Sequence, residues 1–487
     1  MTRPKERSRT VFFCPECGYE SPKWMGFCPA PTCQSGQPLV EATPSRTNPT
    51  NSSWMPTQSE RVQELSALEL DSQQRIVLPC QELNRVLGGG IVPGSVVLLA
   101  GEPGVGKSTL LLQIAQDMAT AGRSVLYVSG EESPHQIKLR SQRLGFAGKG
   151  IFLLSETDVD VVVDRLEEHR PGLAIIDSVQ TLYSRDTPSG PGSVAQIREA
   201  GLRLMRWSKA RQTPVFLAGH VTKDGSVAGP KVLEHMVDVV TYLESQEYGA
   251  FRLLRCAKNR FGSTAEVGVF EMSGAGLVEV VDPSKTLLAQ RHDQAVGSAL
   301  VTVLEGSRPL VLEVQALTSF SHLPSPRRVA NGVDHNRLLM LTAVAGRRAG
   351  LDLSGQDIIV NVAGGMRISE PAADLAIILA IASSLHNRPL DSEMVVFGEV
   401  GLGGEVRTVP QAQRRLQEAQ RLGLTRAVLP DTALDAEARP PGMGLVFART
   451  VSQAIKAGLG DRLEHREAVA TEKARWPDDL LPSRIDL

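Results

Sequence analysis

Between about residues 66 and 285 the chain alternates short, continuously apolar runs with longer segments of helical periodicity. The runs are Val96–Ala100, Val125–Ser129, Ile151–Leu154, Leu173–Asp177 and Pro214–Val221, and a helix is expected from Lys107 to about Thr120. Strands apolar at every position and separated by helices predict a parallel sheet covered on both faces. After Met236 the rhythm changes to VDVVTYLES, FRLLRCAKN and VGVFEMSG, which read as antiparallel strands added at the sheet edge. A second α/β pattern fills residues 286–460, with strands near Ala299–Val303, Ile358–Val362, Val395–Glu399 and Ala427–Leu429. Helices are expected there at Asn336–Ala349 and Pro371–Leu385. Residues 1–40 hold a cysteine cluster, residues 41–65 read as a Pro/Ser/Thr/Asn-rich linker, and residues 461–487 as a charged tail.

Composition narrows the class. A chain of 487 residues exceeds a single core, so two or three folded units are expected. Hydrophobic content of 42% and charged content of 22% are those of a globular protein, and with aromatics at 4% aliphatic side chains must fill the core. A net charge of −2 gives no overall attraction to nucleic acid or membrane, so polyanion binding requires local basic patches. No apolar run approaches the ~20 residues that span a bilayer. The basic start MTRPKERSRT leads into polar residues and cysteines instead of a signal core, so a cytoplasmic location is expected.

The segment Gly101, Glu102, Pro103, Gly104, Val105, Gly106, Lys107, Ser108, Thr109 fits G-x-x-x-x-G-K-[ST], directly after the strand VVLLA and before the helical STLLLQIAQDMA. The glycines let the backbone curl so that its N–H groups face phosphates, and the helix N-terminus adds a favourable dipole. Lys107 is expected to reach the β- and γ-phosphates of ATP and Ser108 to coordinate Mg2+. The dinucleotide motif G-x-G-x-x-G is not matched. A kinase, a transporter or a GTPase carries the same loop, so hydrolysis needs further groups. Asp177 ends an apolar strand where a carboxylate meets the metal ion. Glu131 and Glu132 follow the strand VLYVS at the sheet edge where ligands of open α/β sheets bind, and Glu131 is the candidate general base. His220 ends PVFLAGH on the same edge as a candidate γ-phosphate sensor; a buried structural histidine is the alternative.

Four of the six cysteines lie within twenty positions as Cys14-x2-Cys17 and Cys28-x4-Cys33. Both spacings suit a tetrahedral structural Zn2+ site, redox chemistry being the alternative. Such a module folds only with its metal and suits binding to a partner or to DNA. Cys80 and Cys256 read as buried thiols.

The segments QELNRVLGGGIVPGSVVLLAGEPGVGKSTLLLQIA, YVSGEES, IIDSVQT, GHVTKDG and KNRFG, in this order, resemble the bacterial RadA (Sms) family of DNA-repair ATPases over almost the whole chain. The resemblance implies a RecA-type P-loop core that assembles into a hexameric ring with nucleotide bound between subunits. It also implies single-stranded DNA, branched recombination intermediates and a RecA-type recombinase as partners, with branch migration as the activity. In such a ring the segments Ser184–Ser193 and Lys223–Pro230 are expected to be mobile and to line the pore, with Lys223 and Lys231 as phosphate contacts. Ordinary surface loops are the alternative. Lys258 and Arg260, in the family's Lys-Asn-Arg-Phe-Gly signature, are expected from the resemblance to serve either a neighbour's ATP or DNA, a solvated basic turn being the alternative. The second cysteine pair, CPAPTC, is spaced more widely than the family's.

Residues 286–460 resemble the proteolytic domain of the Lon protease through VNVAGGMRISEPAADLAIILAIASSL and FGEVGLGGEVRTVPQAQRRLQEAQRLG. Ala372 stands where that family has its serine nucleophile and Gln413 where it has its lysine, so peptide hydrolysis is not expected. The domain reads as an inactive ring scaffold. Between Ser319 and Gly350 five arginines, Arg327, Arg328, Arg337, Arg347 and Arg348, face one acid, Asp334, as a candidate duplex-DNA patch. Solvation of a helix face or pairing across a subunit interface is the alternative.

Overall fold

The computed structural model describes residues 11–14, 19–21, 23–29, 33, 38–42, 66, 75–220, 229–245, 251–289, 291–292, 294–431 and 439–460. Cys17, Lys223, the tail 461–487 and most of the expected linker 41–65 lie outside the described residues. Near the N-terminus β1 (Val11–Phe13), β2 (Glu20–Ser21) and β3 (Val40–Ala42) pair antiparallel in the order β2-β1-β3. The chain separates into two compact units, the first including these N-terminal strands, that meet in sequence at Val281/Asp282.

The first unit runs α1 (Gln81–Val86), β4 (Val96–Gly101), α2 (Lys107–Thr120), β5 (Val125–Ser129), α3 (Pro134–Arg143), β6 (Ile151–Ser155), α4 (Val159–His169) and β7 (Leu173–Asp177). It continues through α5 (Val194–Arg211), β8 (Val215–His220), α6 (Gly229–Glu234), β9 (Val239–Ser245), β10 (Phe251–Asn259), β11 (Val267–Ser273) and β12 (Gly276–Glu279). Nine strands form one sheet in the order β12-β11-β10-β9-β4-β8-β7-β5-β6. Its apolar strands are buried on alternating sides: Val97 and Leu99 of β4 join one core with α1 and α2, while Val96, Leu98 and Ala100 join the other with α4 and α5. Both faces are therefore covered, as a continuous apolar run requires. One expectation fails: β9 pairs parallel with β4, and the antiparallel edge begins only at β10. A crossover through α6 separates β8 from β9, and a helical crossover returns a strand parallel.

The second unit contains α7 (Pro283–Leu288), β13 (Ser298–Glu305), β14 (Arg308–Phe320), β15 (Arg328–Asn331), α8 (His335–Ala349), β16 (Gln356–Val362), α9 (Asp374–Leu385) and β17 (Met394–Val396). β18 (Glu399–Val400), β19 (Val406–Arg407), α10 (Ala412–Arg421), β20 (Arg426–Pro430), β21 (Gly444–Ala448) and α11 (Val451–Leu459) follow. Its seven-stranded sheet has the order β15-β16-β14-β13-β17-β20-β21. The expected strand Val395–Glu399 is split, Glu399 belonging to a separate ribbon of β18 and β19. The expected domain boundary at residue 285 falls inside α7. Among the described residues no helix is long and apolar enough to cross a membrane.

Candidate nucleotide site

β4 delivers the chain at Gly101, and α2 departs at Lys107. Between them Gly104 and Gly106 take φ of 77° and 115°, the left-handed region that side chains disfavour. A Cβ on Gly106 would stand 2.6 Å from the Met272 Cε, and one on Gly101 2.5 Å from the Leu243 carbonyl oxygen. Space and torsion thus both select glycine. Lys107 is 4% exposed, and its Nζ donates to the carbonyls of Gly101 and Glu102, each at 2.9 Å. The ammonium already lies in the hollow of the loop, where phosphate oxygens can replace those carbonyls. Burial lowers its pKa below the usual lysine value, against the opposing pull of Asp177 and Glu131.

β8 lies between β4 and β7, and β5 flanks β7 on its far side. All four strands are parallel, so their carboxyl ends share one edge. Asp177, 7% exposed, accepts a hydrogen bond from the Tyr127 hydroxyl at 2.6 Å. Burial first, and Asp177 second, hold that phenol well above its usual pKa, so it stays a donor. Ser178 Oγ donates to Glu131 Oε1 at 2.5 Å, and His220 Nε2 lies 3.3 Å from the same oxygen. Glu132 is engaged elsewhere, accepting both Arg140 nitrogens at 2.7 and 2.5 Å. Its neighbour Ser133 starts α3 with a capping box to Gln136, which fixes where the chain leaves the edge. Of the two carboxylates, Glu131 alone faces the cluster of Ser178 and His220.

Two buried polar atoms there have no hydrogen-bond partner among the described residues, His220 Nδ1 and Gln180 Oε1. Gln180 Nε2 donates to the His220 carbonyl at 3.2 Å, so both orphans belong to one patch. Unsatisfied buried atoms are rare in folded proteins and mark places where a ligand or water completes the bonding. Sequence reasoning missed Tyr127, Ser178 and Gln180. The last two lie within three residues of Asp177 in IIDSVQT, but Tyr127 is one of five buried positions on β5 and carries no local signal.

Lys258–Gly262 lies elsewhere. β10 runs antiparallel to β9, pairing Arg252 with Ser245 and Asn259 with Val239. β9 runs with β4, pairing Leu243 with Gly101 and Val239 with Val97. The signature therefore emerges at the sheet edge opposite to this chain's own phosphate loop. Lys258 Nζ donates to the carbonyls of Glu234 and His235 at 2.7 and 3.1 Å, closing the end of α6. Arg260 pairs with the buried Asp238 at 3.0 Å, while its side chain stays 51% exposed. Lys231 is exposed on α6. Ser184–Ser193, expected to be mobile, is pinned by the buried Gln196, whose Nε2 donates to the carbonyls of Ser184, Thr187 and Ser189 at 3.0, 2.8 and 2.8 Å. A polar residue in the first turn of α5 supplies backbone bonds that a loop reading does not anticipate.

In the second unit Ala372 is fully buried and Gln413 is exposed on α10. Glu370 forms an ion pair with Arg415, which is fully buried and also donates to the carbonyls of Thr302 and Pro410 at 2.7 and 3.0 Å. Glu370 accepts the Leu304 N–H at 2.7 Å as well.

The AAA domain family matches residues 59–226, and the family described as subunit ChlI of Mg-chelatase matches residues 334–433. The DNA repair protein RadA of Bacillus subtilis is 44% identical over 457 residues, covering 93% of this chain and 99% of that protein. Its counterpart from Halalkalibacterium halodurans is 46% identical over 460 residues, with 93% and 99% covered. The chain belongs to the RadA family of DNA-repair proteins. A solved KaiC-like protein of Pyrococcus horikoshii is also similar, at 20% identity and a TM-score of 0.36 over 42% of this chain and 99% of that one.

Two further features of this RadA-family chain bear on its sites. The sulfurs of Cys14, Cys28 and Cys33 lie within 4.8 Å of one another, and those of Cys14 and Cys33 are 3.7 Å apart. Tetrahedral zinc with Zn–S bonds of ~2.3 Å sets its sulfurs about 3.8 Å apart, so this donor set fits the ion. The five-arginine patch is smaller than its sequence suggests. Arg337 pairs with the buried Asp374 through both of that residue's oxygens, and Arg328 donates to the carbonyls of Gln356 and Leu353 at 2.5 and 3.0 Å. Asp374 and the two carbonyls lie beyond the 319–350 segment, which is why a local charge count missed them. Arg327, Arg347 and Arg348 remain exposed.

Proposed function

We propose that this chain is a DNA-dependent ATPase of recombinational repair, a motor that assembles into a hexameric ring, translocates on single-stranded DNA and promotes branch migration of RecA-type strand-exchange intermediates. The observation that carries this reading is the placement of the Lys258–Gly262 turn at the sheet edge opposite to the chain's own phosphate loop. A signature on that edge serves a neighbour's nucleotide more naturally than its own, and a ring gives every site such a neighbour.

The residues divide the work. Lys107 leaves the Gly101 and Glu102 carbonyls for the β- and γ-phosphates, and residues 101–109 supply backbone N–H groups around them. Ser108 and Asp177 would hold Mg2+, with Tyr127 fixing the Asp177 rotamer. An ion held there would screen the phosphate charge. Glu131, steadied by Ser178, accepts the proton of the attacking water. His220 Nε2 lies within reach of Glu131, so a change at the γ-phosphate passes to the strand end that leads towards Lys223. Arg260 from a neighbour neutralises charge in the transition state. Lys223 and Lys231 contact the DNA backbone, and Arg327, Arg347 and Arg348 supply a smaller duplex patch.

The cysteine module holds Zn2+ through Cys14, Cys17, Cys28 and Cys33 and binds a partner, a RecA-type recombinase or DNA. The second unit is a scaffold without peptidase activity, since neither Ala372 nor Gln413 offers a nucleophile or a base. The setting is cytoplasmic. Steady-state ATP hydrolysis with and without single-stranded DNA tests the reading, with Lys107→Ala as the blank. DNA is expected to raise the wild-type rate; a rate indifferent to DNA would overturn the motor reading.

A further inference from the structure

A half-open pocket of about 180 Å3 lies against α2, lined also by residues of α1, β11, β12 and the segment after α3. Its walls include Leu83, Ile114, Leu144, Phe146, Phe270 and Leu277, and none of its lining residues belongs to the 101–109 loop. An apolar cavity of ~150 Å3 accommodates benzene, so this one has room for a ring and a polar head.

The polar groups on that lining are unevenly satisfied. Gln113 is complete, its side-chain amide clasping the Leu277 C=O and N–H at 3.0 Å each. Gln116 is not. Its Nε2 reaches Thr120 Oγ1 at 3.1 Å, but its Oε1 is buried and accepts no hydrogen bond among the described residues. Asp117, next in sequence, is held above the usual carboxyl pKa by burial first and by Glu279 second, with no cation among the causes. Cys80 is pushed up to about 12, chiefly by burial, so it is a neutral thiol and not a competing charge. The pocket thus offers an orphan acceptor and an acidic group, and no lysine or arginine lines it among the described residues.

We propose that this cavity binds a small amphipathic cation, an aromatic or branched-alkyl amidinium or ammonium. The apolar body of such a ligand lies on Ile114, Phe146 and Phe270, and its N–H donors meet Gln116 Oε1 and the Asp117 carboxylate. A buried acceptor without a donor and a half-buried carboxyl without a counter-ion are each unfavourable, and one such ligand relieves both. Leu277 ties the cavity to the phosphate loop, since its Cδ1 lies 3.3 Å from where a Cβ on Gly106 would be.

Isothermal calorimetry on the full-length protein, saturated with ADP and Mg2+ to occupy the nucleotide site, provides the test. The probes are benzamidinium and the neutral benzyl alcohol. Benzamidinium is expected to bind one site per chain, at least ~10-fold more tightly than benzyl alcohol. Asp117→Asn is expected to weaken benzamidinium at least ~10-fold while leaving ADP affinity unchanged. Leu144→Trp, which fills the cavity from its rim, is expected to abolish binding of both probes, and it keeps the test open should Asp117→Asn not fold. Absence of benzamidinium binding at millimolar concentration would overturn the proposal. So would undiminished binding in Asp117→Asn or Leu144→Trp, or a crystal structure of the probe-soaked protein with only water in the cavity. Because binding is read directly, the outcome is independent of whether DNA stimulates hydrolysis.

Discussion

In the first unit Lys107, Asp177 and Glu131 gather at the carboxyl ends of parallel strands with bonding capacity left over. In the second, Glu370 and Arg415 meet in the segments that carry Ala372 and Gln413, and their capacity is nearly exhausted. Lys107 holds only backbone carbonyls, and His220 Nδ1 and Gln180 Oε1 have no partner among the described residues. Arg415 by contrast has two carbonyls and a carboxylate, and Glu370 has Arg415 and a backbone N–H. Thr302, whose carbonyl Arg415 bonds, has a buried hydroxyl without a partner among the described residues. Both regions bury charge. Only the first leaves it poised for a ligand, and the second uses it to bind one part of the fold to another.

Substitutions separate these two uses of charge. Lys107→Ala is expected to lower ATP hydrolysis by about 10³-fold with thermal stability nearly unchanged, because it removes a transition-state contact. Measured turnover and Tm together check this. Glu370→Ala is expected to do the reverse, destabilising the second unit by roughly 3 kcal/mol by leaving the Arg415 guanidinium buried without its partner. Denaturant unfolding reads that loss, and a shift of only a few tenths would contradict the comparison. Glu131→Gln is expected to lower turnover about 10²-fold while ATP still binds, since the amide keeps the Ser178 contact but accepts no proton. Fluorescent-nucleotide binding set beside turnover distinguishes this from a folding defect. Tyr127→Phe is expected to have the smallest effect, about 1 kcal/mol, because it deletes one hydrogen bond to Asp177 and leaves the ring in place. Its signature is a modest loss of stability with nucleotide binding retained.

The legible part of this protein is the part written locally. The loop 101–109 and the strand ending at Asp177 are read from spacing, because a glycine-rich turn, a lysine and a helix must follow one another in the chain. What pairs across the sheet is not so written. The Tyr127–Asp177 and Ser178–Glu131 hydrogen bonds join residues far apart in sequence, and β9 gives no sign of its parallel pairing until the crossover through α6 is seen. The same holds for Arg337. On a charge count it is one of five free cations; in the fold it is the counter-ion of Asp374. The 184–193 segment is a third case, since Gln196, outside it in sequence, holds the backbone of Ser184, Thr187 and Ser189.

The claim that the nucleotide site is completed by a neighbouring chain is tested most directly by mixing inactive subunits. Lys107→Ala has a defective phosphate loop and an intact Arg260; Arg260→Ala has the opposite defect. Each alone is expected to hydrolyse ATP poorly. Mixed in equal amounts in the presence of single-stranded DNA, they regenerate an intact pairing at about a quarter of random interfaces, so activity is expected to rise well above either variant alone. A mixture no more active than the average of its two components would contradict the account.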